Sequence, residues 1–347
     1  MTKRKRSIMP TDQGTYQDAF LVLPRLRVQN ANAISSPMTW GFPSTTAFIG
    51  LMHALARHLG DADLEFRGVG IICHDYEAQV TEGGYTRSFR MTRNPIGMDG
   101  GTLAIVEEGR INLDITLLFL VNLAAPRWAE TERQQLADKV NDILTGMRIA
   151  GGSVLPSLPD SRGHGPRAQL RLLPDTEIDR RIDFRRMRRR WLPGFALVAR
   201  DDLLHSHLAK LQEADESATV LDAWLDLSRR NHYASRTTRP GVETGEVKWV
   251  TERHRGWMVP LPVGYVGLSE LHDAGTVARA RDMTTPFRFV ESVYSIGQWI
   301  SPHRLTDVTD LLWYGQYDEK VQLYRCCNDF AGSSSATDVT AGREQFN

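Results

Sequence analysis

Seven arginines crowd the segment "RRIDFRRMRRRW", Arg180 to Trp191, against a single aspartate. Guanidinium is a flat fork that pairs with phosphate through two parallel hydrogen bonds and also stacks on bases, so such a run points toward a polyanion. On a helix, Phe184, Met187 and Trp191 recur at i, i+3 and i+7 and give a narrow apolar stripe for docking. Arg181, Arg185 and Arg188 then make one outer row, and Arg186 with Arg190 another. Like charges this close repel unless a counter-charge is present, which favours nucleic acid or an acidic protein partner over a plain solvated face.

Other clusters carry the same chemistry more weakly. In "TGMRIAGGSVLP", Arg148 precedes Gly151, Gly152 and Ser153. Adjacent glycines let a backbone approach a partner closely and present N–H groups to a phosphate, although glycine after a helix is also an ordinary C-cap. Arg87, Arg90 and Arg93, with Asn94, follow a Gly-Gly turn and read as a hairpin that either wraps RNA or stands in solvent. Arg279, Arg281 and Arg288 flank Thr284, Thr285 and Phe287, where phosphate binding competes with ion pairs to Asp282 and Glu291.

The stretch from Val28 to Ala56 has no charged residue in a chain that is 24% charged. Gln29, Asn30, Asn32, Ser35, Ser36, Pro37, Gly41 and Pro43 break any apolar run of membrane-spanning length, so no membrane is expected. Asn30 and Asn32 suit base edges, Ser35, Ser36 and Ser44 suit phosphate oxygens, and Trp40 and Phe42 either stack on bases or join the core.

Catalytic signatures are missing: no HExxH, paired CxxC, Walker loop or GxSxG occurs. The expectation is a protein with no catalytic residue, no metal site and no cofactor. The histidines are scattered, and His53, on or beside an apolar helical face, reads as structural. A metal-free ribonuclease needs only a general base and acid near a ribose 2′-hydroxyl, which keeps an endoribonuclease using His53 or His74 as the alternative.

With 347 residues, 41% of them hydrophobic, the chain is long enough for a large core. Its zero formal charge conceals 36 arginines against 6 lysines, a bias that GC-rich codon usage also produces. Lys3-Arg4-Lys5-Arg6 is followed by polar residues and not by a secretory apolar stretch, so a cytoplasmic location is expected. Cys73, Cys326 and Cys327 lack metal-ligand spacing and fit a reducing compartment.

Positioning these groups requires a scaffold. "AFLVLPRLRVQ" has the apolar density of a buried strand, and "STTAFIGLMHALARHLG" that of a helix with Ser44 as N-cap and Gly60 as stop. "GVGIICHDYEAQV" and "NLDITLLFLV" read as strands, 130 to 147 as a helix, and "AQLRLLP" as a strand. That order, strand, helix, strand, strand, helix, strand, is the split βαβ arrangement of a ferredoxin-like or RNA-recognition-motif fold. Helices are expected at 176 to 191, 201 to 213 and 219 to 230, and strands around 195 to 199, 246 to 251 and 257 to 261. A polar loop is expected from Ser235 to Gly245. "WISPHRLTDVTDLLWYG" is left open between core and partner surface.

"LPRLRVQNANAISSPMTWGFPSTTAFIGLMHAL", "RNP" at 93 to 95, "AIVEEGR" at 104 to 110, "MRIAGGSVLP" at 147 to 156, "RRRWLPGFALV" at 188 to 198, "GWMVPLPVGY" at 256 to 265, "TPFRFVES" at 285 to 292 and "WISPHRLTDVTDLLWY" at 299 to 314 together resemble the Cas-five-type, or second Csy, subunits of type I-F CRISPR surveillance complexes. The resemblance runs in one order from about residue 18 to 325. It implies an α+β protein: a ferredoxin-like palm at 18–174 with an inserted thumb-like element, then a basic helix and a mixed α/β C-terminal half at 175–328. Residues 1–17 and 329–347 are expected to be flexible.

It further implies a non-catalytic subunit that holds the 5′ handle of the CRISPR guide RNA. Such a subunit caps one end of the complex with the large (Cas-eight-type) subunit and abuts the first backbone (Cas-seven-type) subunit. Contact with target DNA near the protospacer-adjacent motif stays open, and an endoribonuclease acting on repeat RNA remains the alternative. By motif, the RNA contacts fall to the loop from Gln29 to Trp40, to Arg148 with the Gly151-Gly152-Ser153 turn, to Arg93 and Asn94, and to Arg185, Arg188, Arg189 and Arg190.

Overall fold

A computed structural model describes residues 16–61, 63–84, 86–124, 128–156, 166–236, 247–251, 256–280 and 282–331. Its first half runs β1 (Tyr16–Asn32), α1 (Thr45–Leu59), β2 (Leu64–Ala78), β3 (Val80–Gly83), β4 (Thr86–Phe89), β5 (Met91–Arg93), β6 (Val106–Glu108), β7 (Arg110–Ala124), α2 (Glu130–Gly146), β8 (Arg148–Ile149), β9 (Gly152–Leu155) and β10 (Gln169–Leu172). The second half runs α3 (Glu177–Arg189), β11 (Phe195–Ala199), α4 (Asp201–Ala214), α5 (Val220–Ser228), β12 (His232–Arg236), β13 (Val247–Thr251), β14 (Trp257–Gly267), β15 (Val290–Ile300), β16 (Leu312–Asp318) and β17 (Leu323–Asn328). The fold is mixed α/β, built on one large antiparallel sheet with five α-helices among the described residues.

Successive strand side chains point to opposite faces, and β1 and β7 are apolar on both. Ala19, Leu21 and Leu23, with Ile115, Leu117 and Phe119, join one core cluster with α1 and α2. Phe20, Val22, Leu118 and Leu120 join a second with Phe184, Met187 and Trp191 of the α3 region. Helices α1 and α2 therefore cover one face, and α3 covers part of the other. Ser44 caps α1 by accepting from the Thr46 amide, and Gly60 ends it in a left-handed conformation, as the sequence predicts.

In the first half the strand order is β2–β7–β1–β10, every pairing antiparallel, with β9 on the same outer edge of β1 as β10. On its other side β2 pairs with both β11 and β16, and β16–β17–β14–β15–β11 completes a closed path of strands. Trp313 is wholly buried where this ring closes, and its indole N–H donates to the Leu197 carbonyl at 2.8 Å. One sheet thus runs through both halves of the chain, with β2 shared between them.

The segment from Trp299 to Trp313 is core: Trp299, Ile300, Leu305, Leu311, Leu312 and Trp313 are all buried. A strand end, two 3-10 turns (Pro302–Arg304 and Val308–Leu311) and a strand start follow one another there, so no single period marks it. The polar loop expected from Ser235 is entered from β12, which pairs with β13, and 237–246 lies outside the described residues. The residues beyond 331 and before 16 also lie outside the described residues, and Phe330 is buried. Burial pushes the Cys73 thiol up to about 12 and Cys326 to about 11, so neither forms a thiolate near neutrality.

Candidate nucleic-acid interface

Register decides which side chains share a face. Val28 and Ile149 face the helix-covered core, so Gln29 and Arg148 face away from it. Arg148 is paired with Ser153, and Ser153 with Gln29. These three side chains therefore stand side by side across β8, β9 and β1, and all are exposed. Asn112 of β7 continues the row, because its Oδ1 accepts from the Asn30 backbone N–H at 3.0 Å. Four adjacent strands thus carry a polar row about 14 Å long at the ~4.8 Å strand spacing.

Asn30 sits in a left-handed conformation, φ 57°, at an irregularity in the β1–β7 pairing. Its side-chain carbonyl accepts from the Gln79 amide, its backbone carbonyl from Arg110 at 3.4 Å, and Asn112 donates to Glu77 at 3.1 Å. Gln79 and Asn112 were not found from sequence. The signal for Asn112 lies in "NLDIT", where Asn112, Asp114 and Thr116 alternate with apolar residues on a strand; Gln79 has no comparable local signal.

The close approach at β9 explains Gly152. A Cβ there would lie 2.6 Å from the Ala31 nitrogen and 2.7 Å from the Gln29 carbonyl oxygen, both backbone atoms. Ala150 and Gly151 both take positive φ, 48° and 76°, the pattern of a tight hairpin turn, and Arg148 donates to the Gly151 carbonyl at 3.2 Å. The helix-stop reading of this pair is thereby replaced: Gly151 shares the turn with Ala150, and Gly152 opens β9 where it lies against β1.

The loop after β1 is held mainly by its own polar groups. Asn32 donates to the Ile34 carbonyl at 2.7 Å and accepts from the Ile34 N–H at 3.1 Å. Ser35 accepts from the Ser44 amide at 3.0 Å, and buried Ser36 bonds Thr39 at 2.7 Å. Ser44 also donates to the Pro262 carbonyl at 2.8 Å, so its hydroxyl serves the helix cap and a tertiary contact. These hydroxyls shape the loop internally. Trp40 is 48% exposed, edge-on to Phe89 of the β3–β4 hairpin at 5.9 Å. Phe42 instead stacks on Phe48 at 5.5 Å and meets Trp299 edge-on at 4.8 Å, so it is partly buried and packed against the core.

The insertion between β2 and β7 holds the β3–β4 and β5–β6 hairpins, rooted beside this loop by Ala33 N–H donating to Gly109 at 2.9 Å. On it Arg93 pairs with Glu108 at 2.6 Å, Arg87 pairs with Glu82 at 2.8 Å, and Asn94 is exposed.

The basic helix forms as expected, with Phe184, Met187 and Trp191 buried, but elsewhere. It packs on the cluster containing Phe20 and Val22, and Gln29 lies seven residues beyond Val22 along β1, roughly 23 Å away. Arg188 donates to the carbonyls of His303 and Leu305 at 3.1 and 2.7 Å, which makes it a structural tie. Arg185, Arg189 and Arg190 are exposed. Arg279 is exposed and Arg288 donates to the Tyr317 hydroxyl at 3.1 Å, not to Asp282 or Glu291; both lie by β14 and β15, away from the row. Arg281 lies outside the described residues.

His53 is exposed on α1, bordering the buried face that Ile49 and Met52 belong to. His74 has both ring nitrogens engaged, Nδ1 at 2.7 Å from the Pro193 carbonyl and Nε2 at 2.7 Å from the Thr116 hydroxyl. A carbonyl only accepts, so Nδ1 carries the proton and neutral Nε2 accepts from Thr116. Among the described residues no group of three or more His, Cys, Asp or Glu is placed to hold a metal ion, and no helix is long and apolar enough to cross a membrane.

A family model described as CRISPR-associated protein (Cas_Csy2) matches residues 21–326. The CRISPR-associated protein Csy2 of Pseudomonas aeruginosa (strain UCBPP-PA14) is 46% identical over 315 residues, which span 90% of this chain and 95% of that protein.

Proposed function

The chain belongs to the Csy2 family of CRISPR-associated proteins, and from that premise we propose that it is a non-catalytic RNA-binding subunit of a type I-F interference complex. It holds the 5′ handle of the guide RNA and, as a Cas-five-type cap, sits between the large subunit and the first backbone subunit. The observation that carries the RNA half is the row Arg148–Ser153–Gln29–Asn112, with Trp40 exposed on the adjoining loop. It combines a forked cation, an amide and a hydroxyl on a strand face with a nearby aromatic, the means by which single-stranded RNA is bound and stacked.

We read β1, α1, β2, β7, α2 and β10 as the ferredoxin-like palm, since their order and antiparallel pairing follow that plan, and the insertion at 79–109 as its thumb. The doubly bonded His74 supports a non-catalytic role, because its acceptor nitrogen is already occupied.

The test is guide-RNA retention by the assembled complex against salt. Arg148→Ala combined with Gln29→Ala should weaken retention about tenfold or more, and loss of one phosphate contact should flatten the log–log salt slope by about 0.7. Unchanged retention and slope would remove the row from the interface. Site-specific, metal-independent cleavage of repeat RNA lost on His74→Ala would replace the proposal with the ribonuclease reading.

A further inference from the structure

Beyond their last strand pair, Gly267 and Val290, the chains of β14 and β15 stay joined. Leu268 N–H donates to the Phe289 carbonyl at 2.8 Å, and His272 and Phe287 exchange backbone bonds at 2.7 and 2.9 Å. This extension is apolar and exposed: Leu268, Leu271, Met283 and Phe289 are each more than half accessible. Phe287 and His272 contact the Phe289 ring edge-on at 5.0 and 5.9 Å, so the surface is ordered by its own aromatic contacts.

Among the described residues the exposed charges around it are mainly acidic. Glu270, Asp273, Asp282 and Glu291 are exposed, and none forms a salt bridge among the described residues. Arg288 is turned to Tyr317, leaving Arg279 as the exposed cation of the described extension. Phosphates are repelled by such a rim, and single-stranded nucleic acid has no use for exposed leucine and methionine side chains. A two-fold contact between copies would set acid against acid, and a head-to-tail one would propagate into a filament.

We infer that this face docks a protein subunit other than this chain, one with an apolar contact surface edged by Arg or Lys. The inference rests on the assembly part of the proposed function for its probes and is independent of the RNA row. It also withdraws Arg279 and Arg288 from the RNA contacts.

The experiment uses the full chain with the purified large and backbone subunits as probes, in the presence of guide RNA. Leu268→Asp with Phe289→Asp should lower affinity for one of the two at least tenfold while RNA retention is unchanged. Glu270→Lys with Glu291→Lys leaves the apolar contacts in place and should weaken the same subunit severalfold at low salt and less at high salt. Equal affinity of wild type and both variants for both subunits would overturn the inference. So would loss of RNA with subunit binding intact, which marks a nucleic-acid surface, or wild-type self-association abolished by the variants, which marks a contact between copies. A failure of the RNA reading appears instead in the Arg148 and Gln29 variants.

Discussion

Trp40 and Phe42 are two residues apart in one uncharged loop, and the sequence gives them equal claims to a base. Their surroundings separate them. Trp40 is half exposed beside Phe89, whereas Phe42 is packed between Phe48 and Trp299. Trp40→Ala should cost ~1–3 kcal/mol of RNA affinity per base stacked, with little change in unfolding midpoint. Phe42→Ala should instead lower stability by about 3 kcal/mol, read by denaturant unfolding. His74 gives a pH test of the same kind. Burial holds its imidazole below the ordinary histidine range despite its bond to Pro193. The unfolded chain takes up a proton near pH 6.5 that the folded chain refuses, so stability falls as pH drops below that value and levels off past the depressed native pKa. Unfolding measured from pH 8 to 5 should show this slope, and His74→Gln should reduce it.

Elements were more legible than contacts. The Ser44 cap, the Gly60 stop and the i, i+3, i+7 stripe of α3 are local signals, and the structure shows each of them. The destination of α3 was not legible, because an apolar stripe says that a helix docks but not on which face of which sheet. The strands β15, β16 and β17 escaped because their apolar residues are interleaved with 3-10 turns and small or polar residues. Two variants test how the elements are joined. Gly152→Ala places a methyl against the backbone of β1 and should destabilise by ~1–3 kcal/mol through displacement of β9, weakening RNA retention with it. Arg188→Ala removes the tie to His303 and Leu305 and should cost on the order of 1.5–3 kcal/mol of stability. Arg189→Ala should be nearly silent in the same unfolding assay.

At the scale of the molecule, the two proposed roles fall to two separate regions. The sheet edge at β8, β9 and β1 presents a polar row beside an aromatic loop, while the far end of β14 and β15 presents an apolar surface with an acidic rim. From the sequence alone every arginine cluster is an RNA-contact candidate, since charge in one dimension does not reveal which clusters meet in three. Register, the bulge at Asn30 and the turn at Gly151 bring Gln29, Arg148 and Ser153 together, and none of those relations is local in sequence. The measurement that tests the central claim most directly is photo-crosslinking of the assembled, guide-loaded complex, with crosslinked peptides mapped by mass spectrometry. The account predicts that the 5′ handle crosslinks to peptides from 27–40 and 148–155, with Trp40 among the modified residues. Crosslinks confined to the basic helix at 177–190, with both of those peptides unmodified, would contradict it.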